Sequence, residues 1–345
     1  MKLTSILLGA SALTMAFAAP ASADAVSDFF KGKQIALVHT GGPAGGFALY
    51  TRILAKHITK HIPGKPTAVI QFKQGGGGMV GMNYMYNAAA QDGSFLLMPL
   101  PGVEAQPFLH PKKVKFDIRK TQWIGNVTQM QSFISIRTDH KVKNWKDATK
   151  HVVRLGASGK GSETYIMPKL MNAVVGTKFQ IITGYKGIMG ATAAMEKGEL
   201  DGRAGGWTAN MRPHWFSQTP YKTTLLVQSG AHPVKQLYPG QPLQVNVPLL
   251  KDLAKNDDDR KLLSLVTRVL ARAVAAPPGV PKAHIQALRM AFDKTMKDKA
   301  YLAEMKNRRL AIENPMSGAE VARYIDGIAS TPKRIVKRYI AAVKN

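Results

Sequence analysis

KQIALVHTGGPAGGFALYTRILAKHITKHIPGKPTAVIQFKQGGGGMVGMNYMYNAAAQDGSFLLM, residues 33–98, decides the fold class. Residues 33–39 are a short, largely apolar run that reads as a strand. The glycine-rich turn Gly41-Gly42-Pro43-Ala44-Gly45-Gly46 follows, and Phe47 to His61 then reads as an amphipathic helix closed by Pro63-Gly64. Thr67 to Phe72 is a second strand, Gly75 to Gly78 a second glycine turn and Met79 to Ala90 a second helix. Asp92-Gly93 turns the chain into a third strand, Ser94 to Met98. The alternation is βαβαβ, which implies parallel strands covered by their crossover helices.

Outward from this unit, the same design returns after Trp145. Val152 to Gly156 reads as a strand, Ala157 to Ser162 as a small-residue turn and Glu163 to Val174 as a helix. Phe179 to Ile182 is a strand, Tyr185-Lys186-Gly187 a turn and Gly190 to Lys197 a helix, before a short strand led by Asp201-Gly202-Arg203-Ala204. The C-terminal part reads as helices over Asp258 to Ala273, Lys282 to Lys297, Lys299 to Asn307, Ser317 to Ile328 and Lys333 to Val343. Two α/β units with a helical C-terminal region predict a two-lobed clamshell, each lobe a mixed or parallel sheet flanked by helices. Phe133 to Arg137 and Thr224 to Val227 are the expected crossings between lobes. The first lobe is then discontinuous, 24–130 plus 230–345, with 131–229 as the second and a ligand in the cleft between.

The ends and the composition narrow the setting. Lys2, the apolar stretch Leu3 to Ala19 and the small-residue site Ala21-Ser22-Ala23 read as a signal peptide over 1–23, cleaved after Ala23, which predicts export to the periplasm. The chain has no cysteine, so the fold rests on its apolar core, without disulfides or thiolate metal sites. Its formal charge is +27, from 48 Lys+Arg against 21 Asp+Glu. The basic residues are spread along the chain, with local concentrations at Lys112 to Lys120 and Lys333 to Lys344, and no nucleic-acid-reading motif accompanies them. A general positive field that collects anionic solutes is the expected consequence.

Three turns share one chemical design: Thr40 to Phe47, Gln74 to Gly78, and Ala157 to Thr164. Each follows a strand, is rich in Gly or Ser, and opens a helix. Backbone N–H groups at a helix start favour negative charge, and glycine lets a ligand approach them. No acidic residue lies between the strand end and the helix start in any of the three, the third helix opening with Glu163 itself, so together they point to anion capture. Catalytic patterns are incomplete. Gly76-x-Gly78-x-x-Gly81 lacks the acidic residue of a dinucleotide site about 20 positions on. Gly156-Ala157-Ser158-Gly159-Lys160 ends in Lys where a nucleophile elbow has Gly. His57 and His61 have i,i+4 spacing without a metalloprotease context and read as solvent-facing. Trp207, Trp215 and Tyr185 are candidates for cleft or core. No enzyme, cofactor or metal site is expected.

Over its mature length the chain resembles the periplasmic receptors of tripartite tricarboxylate transporters, the Bug-type solute-binding proteins. The matching residues are Pro43-Ala44-Gly45-Gly46 with Arg52, Gly75 to Gly81, Asp92-Gly93 and Gly156 to Ser162, then Tyr185-Lys186-Gly187, Gly198-Glu199-Leu200-Asp201-Gly202 and Ala276 to Pro281. The resemblance implies a periplasmic-binding-protein clamshell without catalysis, with a two-component membrane permease as partner; the chain is expected to be monomeric. It implies a ligand carboxylate held largely by backbone N–H groups and waters. The implied contacts are Thr40, Gly45, Gly46 and Phe47 in the first lobe, and Ser158, Gly161, Ser162 and Thr164 in the second, with Tyr185, Gly187 and Asp201 nearby. The sequence departs from the family's commoner pattern after the Ala-Gly-Gly turn. An acidic residue is usual there to meet a ligand amine, whereas here Phe47-Ala48-Leu49-Tyr50 follows. The expected ligand therefore lacks an ammonium group: a di- or tricarboxylate or an aromatic acid. The competing readings are a ligand sensor built on the same clamshell, a hydrolase or dehydrogenase, and a polyanion binder driven by charge.

Overall fold

The computed structural model describes residues 21–43, 46–160, 162–185, 187–206, 222–230, 232–234, 236–238, 241–242, 247–266, 270–308 and 310–344. In chain order its strands are β1 (Gln34–His39), β2 (Thr67–Phe72), β3 (Phe95–Met98), β4 (Gln122–Asn126), β5 (Ser132–Arg137), β6 (Val153–Gly156) and β7 (Phe179–Ile182). They continue as β8 (Gly202–Gly206), β9 (Thr223–Ser229), β10 (Gln236–Tyr238), β11 (Gln241–Pro242), β12 (Ala273–Ala276) and β13 (Met316–Ser317). The helices are α1 (Ala21–Phe30), α2 (Gly46–Ile58), α3 (Met79–Asn87), α4 (Gln106–Leu109), α5 (Glu163–Val175) and α6 (Gly187–Glu196), then α7 (Asp257–Ser264), α8 (Lys282–Thr295), α9 (Lys299–Asn307), α10 (Gly318–Ala329) and α11 (Lys333–Lys344).

The side chains of β1 alternate between two apolar clusters: Ile35 and Leu37 enter one, Val38 the other. A strand buried on both faces belongs in the middle layer of an α/β sandwich. β1 pairs in parallel with β2 and β3, so the βαβαβ reading of residues 33–98 holds. The sheet then continues with antiparallel neighbours, in the order β2-β1-β3-β12-β4-β13. The second sheet runs β7-β6-β8-β5-β9. There β6 is parallel to β7 and β8, while β5 is antiparallel to both β8 and β9. Both sheets are mixed and flanked by helices, as a two-lobed periplasmic-binding-protein clamshell requires.

Four sequence expectations are corrected. The helix predicted from Asp258 to Ala273 ends at Ser264, and Ala273 opens β12. Its four residues are all buried, with Val274 and Ala276 in one cluster and Ala273 and Ala275 in the other. Alanine's helix preference is worth less than about 1 kcal/mol per residue, and pairing with β3 and β4 outweighs it. Second, Phe133 to Arg137 and Thr224 to Val227 are not the crossings; they lie within β5 and β9. The chain crosses just before β5, at residues 127–131, and again between β9 and β12.

Third, residues 230–345 do not all join the first lobe. Leu250, Leu262, Ile335, Tyr339 and Val343 share one cluster with Ile134 and Leu155 of the second sheet. The four-residue spacing of Ile335, Tyr339 and Val343 makes a single apolar stripe on α11, and that stripe packs there with α5. Arg334 and Arg338 pair the same helix to Asp258 and Asp259 of α7. Fourth, His57 is not solvent-facing: its Nε2 meets Glu304 of α9 at 2.8 Å, and it is buried. His61, half-buried, meets Asp298 at 2.8 Å. The pair pins α2 to α9. Among the described residues, no helix is long and apolar enough to cross a membrane.

Candidate functional site

The first and second glycine turns meet around Thr40, which is buried at the end of β1. Its hydroxyl accepts the Leu100 N–H at 2.8 Å, bracing the loop after β3. A Cβ at Gly81 would lie 2.5 Å from the Thr40 methyl, and one at Gly78 would lie 3.0 Å from its hydroxyl. Gly75, Gly76, Gly77 and Gly78 all have positive φ. The glycines of this turn therefore serve backbone shape and close packing. Gly46 differs: it opens α2, is exposed, and a Cβ there would meet nothing within 4 Å. Gly45 and Gly161 lie outside the described residues, as do Trp207 and Trp215.

In the second lobe the turn between β6 and α5 gathers three hydroxyls. Ser162 donates its Oγ proton to the Gly159 carbonyl at 2.6 Å. Its contact with Thr164 at 2.7 Å must then be donated by Thr164, which in turn accepts the Ser158 N–H at 3.1 Å. Each hydroxyl has one proton, so only that of Ser158 is left. Its sole neighbour in this cluster is the Thr164 oxygen at 3.4 Å, a weak contact. Ser158 is half-buried and sits at the start of an anion-favouring helix. Tyr185 is half-buried in the next turn, where its N–H donates to Ala157 at 3.4 Å, and Gly187 opens α6.

Asp201 is placed elsewhere. It pairs with Arg154, whose Nε and Nη2 reach its two oxygens at 3.2 and 2.9 Å. Arg154 and Asp201 mark the starting ends of the parallel strands β6 and β8, whereas Ser158 follows the finishing end of β6. Burial pushes the Asp201 carboxyl up, but the hydrogen bonds and charge of Arg154 outweigh it and hold the group below its ordinary range. The expected contact at Asp201 is thus a strand-start ion pair, at the far end of the sheet from the hydroxyl cluster.

Phe47 leads to residues the sequence reading missed. Its ring stacks on His39 at 6.0 Å between centroids, and the Arg272 guanidinium lies 3.5 Å from its centroid and 4.5 Å from that of Tyr50. Arg272 is 8% exposed, and burial lowers its pKa to about 10, so it stays protonated at neutral pH. Burial also lowers His39, against the opposing bond to the Met98 carbonyl. At neutral pH its ring is uncharged, with the Nδ1 proton donated to Met98 at 3.1 Å. Buried Asn126 ties the two crossings together: its Nδ2 donates to Thr128 at 2.9 Å, and its Oδ1 accepts the Arg272 N–H at 3.0 Å. Arg272 was legible in one respect, as the lone charge in the apolar run Leu270 to Ala276.

Beside these crossings lies a cavity of about 370 Å³, within the range of small-ligand sites. Tyr50 and Arg272 line it from the first lobe, Met130 from a crossing, and Gly206 and Val234 from the second. Gly205, next to that wall, has φ +142°, and a Cβ on it would fall 3.5 Å from the Thr164 methyl. The cavity therefore has Phe47's neighbour Arg272 on one side and, one residue beyond its other wall, the hydroxyl turn.

No protein-family model and no curated protein matches the chain. Solved structures do match in fold. A TctC solute-binding protein from Polaromonas, without ligand, has a TM-score of 0.66 at 16% identity, covering 90% of this chain and 98% of that one. MatC from Rhodopseudomonas palustris, with bound malate, has a TM-score of 0.61 at 16% identity, covering 90% and 99%. An R. palustris protein with adipate has 0.62 at 16% identity, covering 89% and 97%. At these identities the shared property is the two-lobed fold of solute-binding proteins.

Proposed function

We propose that the protein is an exported receptor that captures a small organic carboxylate between its lobes and delivers it to a two-component membrane permease. The observation that carries this reading is the hydroxyl turn at the start of α5, where Ser158 alone keeps a proton without a strong protein acceptor. An anion seated there would take that proton and the favourable end of the α5 dipole. Two neighbours in fold hold malate and adipate, which are di-acids of the expected class. The net charge of +27 raises the local concentration of such anions. In the first lobe, Gly46 offers an unobstructed helix start, and Thr40 braces the loop beside it. Contacts made in both lobes at once favour the closed form that a permease would recognise.

The test is calorimetry on the mature chain with malate, adipate, citrate, benzoate, glutamate and aspartate, in wild type and in the variants Gly46→Trp and Ser162→Trp. A Cβ at Gly46 would meet nothing within 4 Å, so that variant is expected to fold and to obstruct the approach of a ligand. Binding of the acids without an ammonium group is expected, weakened in both variants. Tight binding of the amino acids alone, or affinity unchanged in both variants, would overturn the reading.

A further inference from the structure

Several arginines of this chain present the same face to a carboxylate. Arg154 uses Nε and Nη2 on Asp201, Arg137 uses the same two atoms on Asp139, and Arg334 uses them on Asp258. This fork is the geometry in which a guanidinium matches a carboxylate with two parallel bonds. Arg272 is the departure. Its Nη1 donates to the Ala271 carbonyl at 2.7 Å, while its buried Nε has no partner. No ion pair joins it to a described carboxylate, although Glu313, an exposed residue, lines the same cavity. A buried cation without a counter-charge is costly to keep, and here it is shielded only by the faces of Phe47 and Tyr50. Both rings lie close to the guanidinium carbon, and neither supplies a negative charge. The residue also lines the cavity between the lobes.

We propose that Arg272 is the counter-charge for a second carboxylate of the ligand, received in the cavity beside the lobe crossings, so that the receptor selects dicarboxylates over monocarboxylates. This rests on the carboxylate reading above and deepens it. One carboxylate meets the hydroxyl turn at the start of α5, and the other meets the Arg272 guanidinium where it lines the cavity. The arrangement also links binding to lobe geometry. Arg272 immediately precedes β12 of the first sheet, and its backbone is tied through Asn126 to the crossing at Thr128.

Calorimetry of wild type, Arg272→Lys, Arg272→Met and Gly46→Trp decides the matter, with malate and adipate as dicarboxylate probes and butyrate as the monocarboxylate. Wild type is expected to bind at least one dicarboxylate at least about tenfold tighter than butyrate, since a charged hydrogen-bonded contact is at stake. Arg272→Met is expected to lose that margin and leave butyrate unchanged. Arg272→Lys keeps the charge without the fork and falls between the two, which keeps the test open if the methionine variant does not fold. Thermal unfolding without ligand is the second measurement: removing an unpaired buried charge leaves the Arg272→Met melting temperature equal or higher. If Arg272→Met binds the dicarboxylates as wild type does while Gly46→Trp does not, this inference fails and the carboxylate reading stands. If wild type binds none of the three acids, both fail.

Discussion

Replacing Gly205 with alanine separates two physical causes that meet at one atom. The backbone there has φ +142°, a region open essentially to glycine, and an L-residue held in it costs roughly 1–3 kcal/mol. The new Cβ would also sit 2.1 Å from Ile188 Cδ1 and 3.1 Å from its Cγ1. Ordinary carbon contact is about 3.5–4.0 Å, so the isoleucine has to turn away. Ile188 is only half-buried on α6, and an off-rotamer shift costs about 0.5–1.5 kcal/mol. The backbone cost therefore dominates, and the total is about 2–4 kcal/mol, a large share of a typical 5–15 kcal/mol stability. Urea unfolding of wild type, Gly205→Ala, Ile188→Ala and the double variant measures both parts. The coupling between the two sites should recover about 1 kcal/mol, the steric share, and leave the rest. A Gly205→Ala variant within about 0.5 kcal/mol of wild type would refute the backbone argument, and so would full recovery in the double variant. The Thr164 methyl is an ordinary 3.5 Å from the new atom, so the hydroxyl turn keeps its shape and the folded variant is expected to keep the proposed carboxylate affinity.

Two further outcomes follow from the ion pairs. Asp201→Asn should lower the stability of the β6–β8 strand starts and leave ligand affinity unchanged, because Asp201 serves Arg154 at the end of the sheet away from Ser158; a loss of affinity in calorimetry would return the residue to the site. Glu304 is held at about 2 by its bonds to His57 and Lys56, below its ordinary 4.5. Its contribution to stability is therefore fully present above pH 4.5 and lost as the pH falls through about 2, and Glu304→Gln should flatten the acid limb of unfolding midpoint against pH. An unchanged limb would mean that the pinning of α2 to α9 does not respond to this carboxylate.

The parts of the fold that were legible carry their own punctuation. Residues 33–98 alternate apolar strands with glycine turns, and α9 has the bounds Lys299 to Asn307 read from the sequence; in the structure Asp298 caps it, accepting the Ala300 N–H at 2.7 Å. β12 carried no such mark. Ala273 to Ala276 are small, buried on both faces and without alternation, so only the slot between β3 and β4 makes them a strand. The stripe on α11 announced that the helix packs, but a stripe does not name its partner, and the lobe assignment failed there. The turn that gathers Ser158, Ser162 and Thr164 was legible from turn chemistry, which is local. Arg272 acquires its surroundings from Phe47, Tyr50 and Asn126, all more than a hundred residues away, and no local pattern reports that.

The lodging of α11 on the second lobe changes the mechanics of the clamshell. Two crossing segments alone would act as a door hinge, leaving the lobes free to swing about the line through them. α10 belongs with the first sheet, packing against β4, and α11 with the second, so the chain makes a third strut between the bodies. Only residues 330–332, with Pro332 among them, separate the two helices. Three residues reach on the order of 10 Å at full stretch, and proline fixes one torsion of that joint. Any swing between the two sheets would have to carry this short joint as a third link, and the joint lies apart from the residues that line the cavity.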